Sequence, residues 1–587
     1  MVKKFFSLFN REIDGLHEAA YLLAAATVAS QILALVRDKL LAYFFGAGHT
    51  LDLYYASFRI SDMIYATIAS MVAASVLVPF LVKKCNVNGE ARDRAAGIEV
   101  TESGRAEARH FIDHTFSVFF LAIIAVSAVI FIFMPWIIPH LLPGYANDPA
   151  SLHQIVIASR IMLLSPIFLG ISNFLASITQ MYNRFLIYAI SPLLYNIGII
   201  FGTLFLYPLF GLYGLVGGVI LGTAMHMGIQ IPFVASKRLF PRLRLKIDWK
   251  EVKQVVLVSF PRTLTLSSTE IAELFLIALA TFMGTGAISI FNFSFNLQSV
   301  PLAVIGVSYA SAAFSTLAKF HESGDMKRYI EYMATSVKHI IFWSMPVTVF
   351  FIVLRAQIVR TILGAGQFTW ADTRLTAAML ALFTISVVGQ SLILLFVRAY
   401  YAEGKTKRPL IANMTSAAAI IIFAFVLKWF FEVSPAFAYF IESLFKVADL
   451  NGTTTSAIVL TLALAYSLGN ILNAYLHWHM FKTDHRAHAD FKTVFTRPIF
   501  KTTFDSLGAS IIGGYAAFLG LQVFALVVNQ QKIIGVFLQG FCAGIIGIVV
   551  WLLVLWILRS KELRDVWVTF HKKFWKVSVA TADAEPL

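Results

Sequence analysis

Charged side chains inside apolar runs are the first residues to explain, because a charge in the hydrocarbon core of a bilayer is costly and needs a reason to be there. The stretch from Ser30 to Asp62 carries Arg37, Asp38, Lys39, Asp52, Arg59 and Asp62 between two apolar runs that meet at Gly46-Ala47-Gly48. A second set, Arg262, Glu270 and Glu273, lies inside the apolar run 252–282. Guanidinium groups suit phosphate, which they grip through parallel N–H donors. Buried carboxylates suit a cation or a proton. Simpler uses compete with these. An arginine near a helix end can snorkel to the interface, and an aspartate at a helix start can cap it. Three consecutive charges at 37–39 cannot all face lipid, however, which favours an inward role for Arg37. Arg59 lies two turns into its helix and is harder to dismiss. Arg262 and Glu270 are about two turns apart, too far for a direct pair, whereas Glu270 and Glu273 share a helix face. For that acidic pair, burial against arginines from other helices and a cation or proton site both stay open.

The elements that position these residues are transmembrane helices. The chain has 587 residues, of which 58% are hydrophobic and 13% charged, with a mean hydropathy of +0.76. Soluble domains carry about 25% charged residues, so this is an all-α, polytopic membrane protein. Runs long enough to span fall near 18–45, 53–82, 111–140, 154–179, 185–207, 212–236, 252–282, 287–318, 334–359, 374–402, 409–430, 453–481, 505–528 and 533–558, fourteen in all. The net charge of +15 is concentrated in loops at 83–109, 237–253, 319–328, 405–408 and 482–501, while 46–52, 140–153, 207–212 and 283–287 hold no Lys or Arg. That alternation places both termini in the cytoplasm. No basic stripe with interleaved aromatics suggests nucleic acid. FGAGHTLDLYYASFR (45–59) resembles MGTGAISIFNFSFN (283–296), and 176–198 echoes 396–414. The repeat implies two parallel lobes, 1–236 and 237–482, with helices 483–560 appended and a cytoplasmic tail at 561–587.

Other features attract bland readings. GAGQFTWADT (364–373) lacks the lysine of a phosphate-binding loop. His477, His479, His485 and His488 cluster near one helix end without the cysteines or spacing of a metal site. Cys85 and Cys542 indicate neither disulfide nor metal. Arg398 reads as a snorkelling anchor, AFAYFIESLFK (436–446) as an interfacial helix, and the stretch after Lys561 as an amphipathic helix on the inner leaflet. The outside loops are mostly short, which disfavours a membrane glycosyltransferase or acyltransferase; no catalytic domain, cofactor or metal is expected.

Several stretches carry a family resemblance: Leu35 to Lys39 followed by FFGAGHTLDLYYASFRI, then NRFLIYAISPLLYNIGII (183–200), the FPR at 260–262, ILGAGQFTWADTRLTAAMLALF (362–383) and RAYYAEGKTKRP (398–409). Together they resemble the MurJ/MviN lipid II flippases of the MOP exporter superfamily. The resemblance implies fourteen helices in two lobes and outward movement of undecaprenyl-diphosphate-linked peptidoglycan precursor across the bacterial cytoplasmic membrane. It also implies substrate contacts at Arg37, Asp52, Arg59, Arg262 and Asn296, while the acidic pair Glu270 and Glu273 remains, on the residues alone, a candidate cation or proton site. The partners would be a lipid-linked saccharide and membrane lipids, and the protein would act as a monomer. The sequence departs from the family at Gln31, Tyr65, Ala66 and Asn296, where family members carry basic residues, and at Ile420 and Ala424, where some carry sodium ligands. Arg59 stands for a family lysine. A cationic cavity driven by membrane potential, without sodium, is the expected mechanism. A flippase for another lipid-linked oligosaccharide, or a MATE-like cation or drug exporter with a cavity dominated by Glu270 and Glu273, is the alternative.

Overall fold

The computed structural model describes residues 16–72, 77–78, 80–81, 84, 102–182, 184–447, 456–486 and 491–574, and every regular element among them is helical. Cys85, Asn183, His488 and most of the basic insert after Lys84 lie outside the described residues. Among the described residues, the helices longer than eight residues are α1 (Leu16–Phe45), α2 (His49–Thr67), α3 (Glu102–Leu141), α4 (Pro149–Met162), α5 (Leu164–Met181), α6 (Phe185–Phe201), α7 (Leu212–Gly228), α8 (Trp249–Ala280), α9 (Ala287–Pro301) and α10 (Ser308–Glu322). They continue with α11 (Met326–Val353), α12 (Trp370–Thr384), α13 (Val387–Ala402), α14 (Lys407–Val433), α15 (Pro435–Phe445), α16 (Leu460–His485), α17 (Arg497–Ala525), α18 (Ile533–Ile557) and α19 (Lys561–Phe574).

Among the described residues, eleven helical segments are long and apolar enough to cross a membrane, or twelve when α12 and α13, bent by 43°, count as one span. α1 and α2 occupy the first two expected spans but carry the charges at 37–39, 52, 59 and 62, and stand outside that group. The expected interfacial segment is α15, with Tyr439, Phe440 and Leu444 exposed, and the expected amphipathic tail helix is α19.

The packing forms two compact units. The first comprises residues 1–300, 362–383 and 406–473. Apolar side chains gain little by leaving lipid for protein, so helices in a membrane associate through close backbone approach and shape. α6 and α7 meet in this way: a Cβ at Gly198 would sit 2.2 Å from the Gly222 Cα, and one at Gly202 2.4 Å from the Gly218 Cα. Deeper in the unit, Phe291 and Phe295 of α9, Phe383 of α12 and Tyr466 of α16 pack edge to face.

The second unit comprises residues 301–361, 384–405 and 474–587. Its largest core gathers Tyr329, Phe396, Tyr400, Phe481 and Phe495. One buried carboxylate sits beside this core: Glu403 accepts from the Tyr329 hydroxyl at 2.7 Å and pairs with Lys405 Nζ at 2.8 Å and His485 Nε2 at 3.0 Å. The pairing ties the start of α11 to the ends of α13 and α16, and gives His485 a structural partner. Arg398 is bound to the Ser311 hydroxyl.

Candidate functional site

The site is built in the first unit where the two repeated segments face each other. Each enters its helix through glycines with left-handed backbone: Gly46 (φ +58°) precedes α2, and Gly284 (φ +96°) and Gly286 (φ +93°) precede α9. A side chain at these φ values is strained. Gly46 has a second constraint, since a Cβ there would lie 2.6 Å from the Gln367 carbonyl oxygen. The 364–369 loop rests on this turn, and Gln367 N donates to the Tyr43 carbonyl at 2.9 Å. The GAGQF motif thus braces the α1–α2 corner.

The facing helices are stitched by polar pairs. Asp52, 1% exposed, reaches from α2 to the start of α9, where it accepts from Gly286 N at 2.5 Å, Ser289 N at 2.8 Å and Ser289 Oγ at 2.6 Å. It is an N-cap supplied in trans, meeting the positive end of the α9 dipole. One turn on, the Tyr55 ring packs edge to face on Phe293. One further turn on, Arg59 Nη2 donates to Asn292 Oδ1 at 3.0 Å, its Nε donates to the Tyr55 carbonyl at 3.3 Å, and its Nη1 lies 3.8 Å from Glu273 Oε2 of α8. Arg37 of α1 donates Nε and Nη2 to Asp38 Oδ1 at 2.9 and 2.8 Å, and Nη1 to Asn196 Oδ1 of α6 at 3.0 Å. Asn296 Nδ2 closes this second network on Asp38 Oδ2 at 3.1 Å.

A cavity of roughly 550 Å³ opens in the same unit between α2, α5, α6 and α8, within the usual size range of small-ligand sites. Arg262 and Glu270 line it from α8, with Tyr65, Asn173, Gln180 and Tyr188 opposite. Eight residues at 1.5 Å rise put Arg262 and Glu270 about 12 Å apart along the helix. The cavity therefore has a cationic end, an acidic end and a neutral hydrogen-bonding wall, where Asn173 Nδ2 donates to the Tyr65 hydroxyl at 3.2 Å.

The structure thus sorts the residues expected from sequence into four places. Arg262 and Glu270 share the cavity. Arg59 and Glu273 form one inter-helix pair, Arg37 and Asn296 meet at Asp38, and Asp52 caps α9. Glu270 and Glu273 are three residues apart on one helix, but Glu270 lines the cavity while Glu273 pairs with Arg59. The expected net positive cavity is not what the folded chain presents. Arg37 and Arg59 each carry their own carboxylate, because bare guanidinium in an apolar interior would be far costlier. Asp38, Asn196 and Asn292 escaped notice as site residues, although asparagine within an apolar helix is itself a signal of interhelical hydrogen bonding. Ile420 and Ala424 are buried, with Ile420 packed on Gly469, where an added Cβ would meet it at 2.1 Å.

A family model described as "Lipid II flippase MurJ" matches residues 41–537. The chain belongs to the MurJ family. Among its relatives, the lipid II flippase MurJ of Burkholderia cenocepacia is 23% identical over 67% of this chain and 75% of its own length. A probable lipid II flippase MurJ of Bdellovibrio bacteriovorus is 25% identical over 72% of this chain and 80% of its own. A solved MurJ in an inward closed conformation aligns with a TM-score of 0.70 at 22% identity, covering 93% of this chain and 99% of that one. An inward-facing MATE multidrug transporter of the MOP superfamily aligns at 0.60 with 13% identity, covering 78% and 96%. These likenesses establish a MurJ-like transporter fold. Within this MurJ-family chain, Tyr65 and Ala66 stand where the resemblance placed a basic pair, and both line the cavity.

Proposed function

We propose that the chain is a flippase that carries undecaprenyl-diphosphate-linked peptidoglycan precursor, lipid II, from the inner to the outer leaflet of the bacterial cytoplasmic membrane. The observation that carries this is the family match over 41–537, which takes in the cavity and the Arg59–Glu273 pair. The physics agrees. A diphosphate cannot cross hydrocarbon unshielded, so a protein that moves it must replace its hydration with charged donors in a water-accessible cavity. Arg262 supplies a donor at the cavity wall, and Arg59 and Arg37 supply donors behind it once their internal partners yield. The sugars and peptide need neutral hydrogen-bonding groups, which Tyr65, Asn173, Gln180 and Tyr188 offer.

The repeat supports lobes 1–236 and 237–482 as the parts that rock against each other, with 483–560 shaping a groove for the polyprenyl tail. The loop-charge alternation supports cytoplasmic termini. The protein acts as a monomer, on a lipid-linked saccharide, without cofactor, metal or nucleic acid, and it moves its substrate without reacting it. Glu270 in the cavity keeps one other reading in view, a cation exporter of the MATE kind. Expression in a strain depleted of its own lipid II flippase separates the two. Restored growth and cell shape support lipid II flipping, whereas failure to rescue by a well-expressed protein counts against it.

A further inference from the structure

Arg59 and Glu273 are paired in a way suited to exchange. The Arg59 guanidinium is held on two edges by neutral acceptors, Asn292 Oδ1 at 3.0 Å and the Tyr55 carbonyl at 3.3 Å. Its ion pair among the described residues is made through Nη1, and that contact is long, 3.8 Å to Glu273 Oε2. The Arg37–Asp38 pair, by contrast, is closed at 2.8 and 2.9 Å. Glu273 also stands three residues from Glu270, on the same face of α8, and Glu270 lines the cavity. An anion arriving from the cavity can therefore take the Nη1 edge while the guanidinium stays where its other two partners hold it.

We infer that Glu273 is the resident anion of Arg59, which a substrate phosphate displaces with uptake of one proton by the freed carboxylate. This rests on the lipid-diphosphate reading above. The charged and titratable groups facing Glu273 are Glu270 on its own helix, Arg59 and Asp62 on α2, and Tyr466 on α16. Arg59 is the one cation among these groups. Once phosphate occupies it, Glu273 is left beside Glu270 in a poorly hydrated site, where two neighbouring carboxylates do not both stay ionised. The proton comes from the cavity water, and it returns there when phosphate leaves and Glu273 closes on Arg59 again. Glu273 thus competes with substrate for one guanidinium. It keeps the empty site neutral and helps to expel the bound phosphate.

The test is binding of a polyprenyl diphosphate to the full-length protein in phosphatidylcholine nanodiscs, with the uncharged polyprenol as control. Uptake of a proton on binding means that affinity rises as pH falls from about 8 to about 6, by up to about tenfold per unit. The ligand cannot cause that rise, because a diphosphate loses charge over the same range. Glu273→Gln removes the competitor, so it should bind more tightly than wild type at the high end and lose the rise. Arg59→Ala should lose the rise and bind weakly. Should Glu273→Gln not fold, Glu273→Asp, whose shorter arm weakens the resident pair, should bind more tightly and keep the rise. A Glu273→Gln protein that binds no more tightly and keeps the wild-type pH dependence overturns the inference. Should wild type fail to prefer the diphosphate over the polyprenol at any pH, the lipid-diphosphate reading itself falls.

Discussion

Replacing Asp52 separates a structural role from a substrate-binding one. Its carboxylate accepts from two backbone N–H groups and one hydroxyl at the start of α9, and it is 1% exposed. In Asp52→Ala the Ser289 hydroxyl can turn back to a carbonyl in its own helix, but the N–H groups of Gly286 and Ser289 cannot turn. A stranded buried donor costs about 1–3 kcal/mol, and a lost N-cap about 1 kcal/mol. For the two donors and the cap together the destabilisation is about 3–7 kcal/mol. Asp52→Asn keeps one acceptor oxygen and should cost about 1–2 kcal/mol. Thermal unfolding of the purified protein in detergent, paired with flipping per folded molecule, measures both effects. The expected order of melting temperature is wild type, then Asn, then Ala, with flipping per folded molecule nearly unchanged in the Asn variant. Normal melting of Asp52→Ala together with lost flipping would refute the cap and make Asp52 a substrate contact.

Four further outcomes are expected. Arg37→Ala should abolish flipping per folded molecule and also lower the melting temperature, at a cost of about 3 kcal/mol for leaving buried Asp38 without its cation, and Arg37→Lys should retain part of both, because lysine keeps the charge but loses the fork that grips Asp38; flipping normalised to folded protein and thermal unfolding check this. Gly46→Ala should lower the melting temperature, since its φ of +58° and the Gln367 carbonyl 2.6 Å from an added Cβ leave no room for a methyl group. Burial pushes Glu403 up, but hydrogen bonds from His485, Lys405 and Tyr329 outweigh it and bring its carboxyl down to about 2 from 4.5; its folded value is the lower one, so its stabilisation is complete above about pH 4.5 and is lost as pH falls through about 2. Glu403→Gln should accordingly lower the melting temperature at neutral pH, at a cost of about 3 kcal/mol for a broken buried pair. Flipping should persist when choline replaces sodium at constant membrane potential, because buried Ile420 and Ala424 offer no ligand oxygen.

The helical order was legible because spanning runs and basic loops are long-range compositional signals. The pairing of the two repeats was legible only in part. The similarity between 45–59 and 283–296 revealed a repeat, yet nothing in one copy showed that Asp52 would cap the other copy's helix. An aspartate at a helix start reads locally as a cap for its own helix, whereas α2 begins at Gly48 without a side-chain cap. Arg37, Arg59, Arg262, Glu270 and Glu273 were conspicuous because charge is rare in apolar helices. Their division between cavity and internal ion pairs depends on which face of α8 meets α2, and spacing along one helix does not encode that. Asn196 and Asn292 went unnoticed because single amides are common enough in membrane helices to pass as packing.

The central claim is that this MurJ-family chain moves lipid II. Its most direct test is flipping by the purified protein in proteoliposomes, with fluorescent lipid II, a lipid-linked oligosaccharide lacking the peptide, and an organic cation offered separately under an imposed potassium–valinomycin potential. The account predicts that lipid II reaches the far leaflet faster than in protein-free vesicles, that Arg37→Ala removes the difference, and that the organic cation is not accumulated. Transport of the cation, or of the peptide-free lipid, with lipid II left in its original leaflet would contradict it.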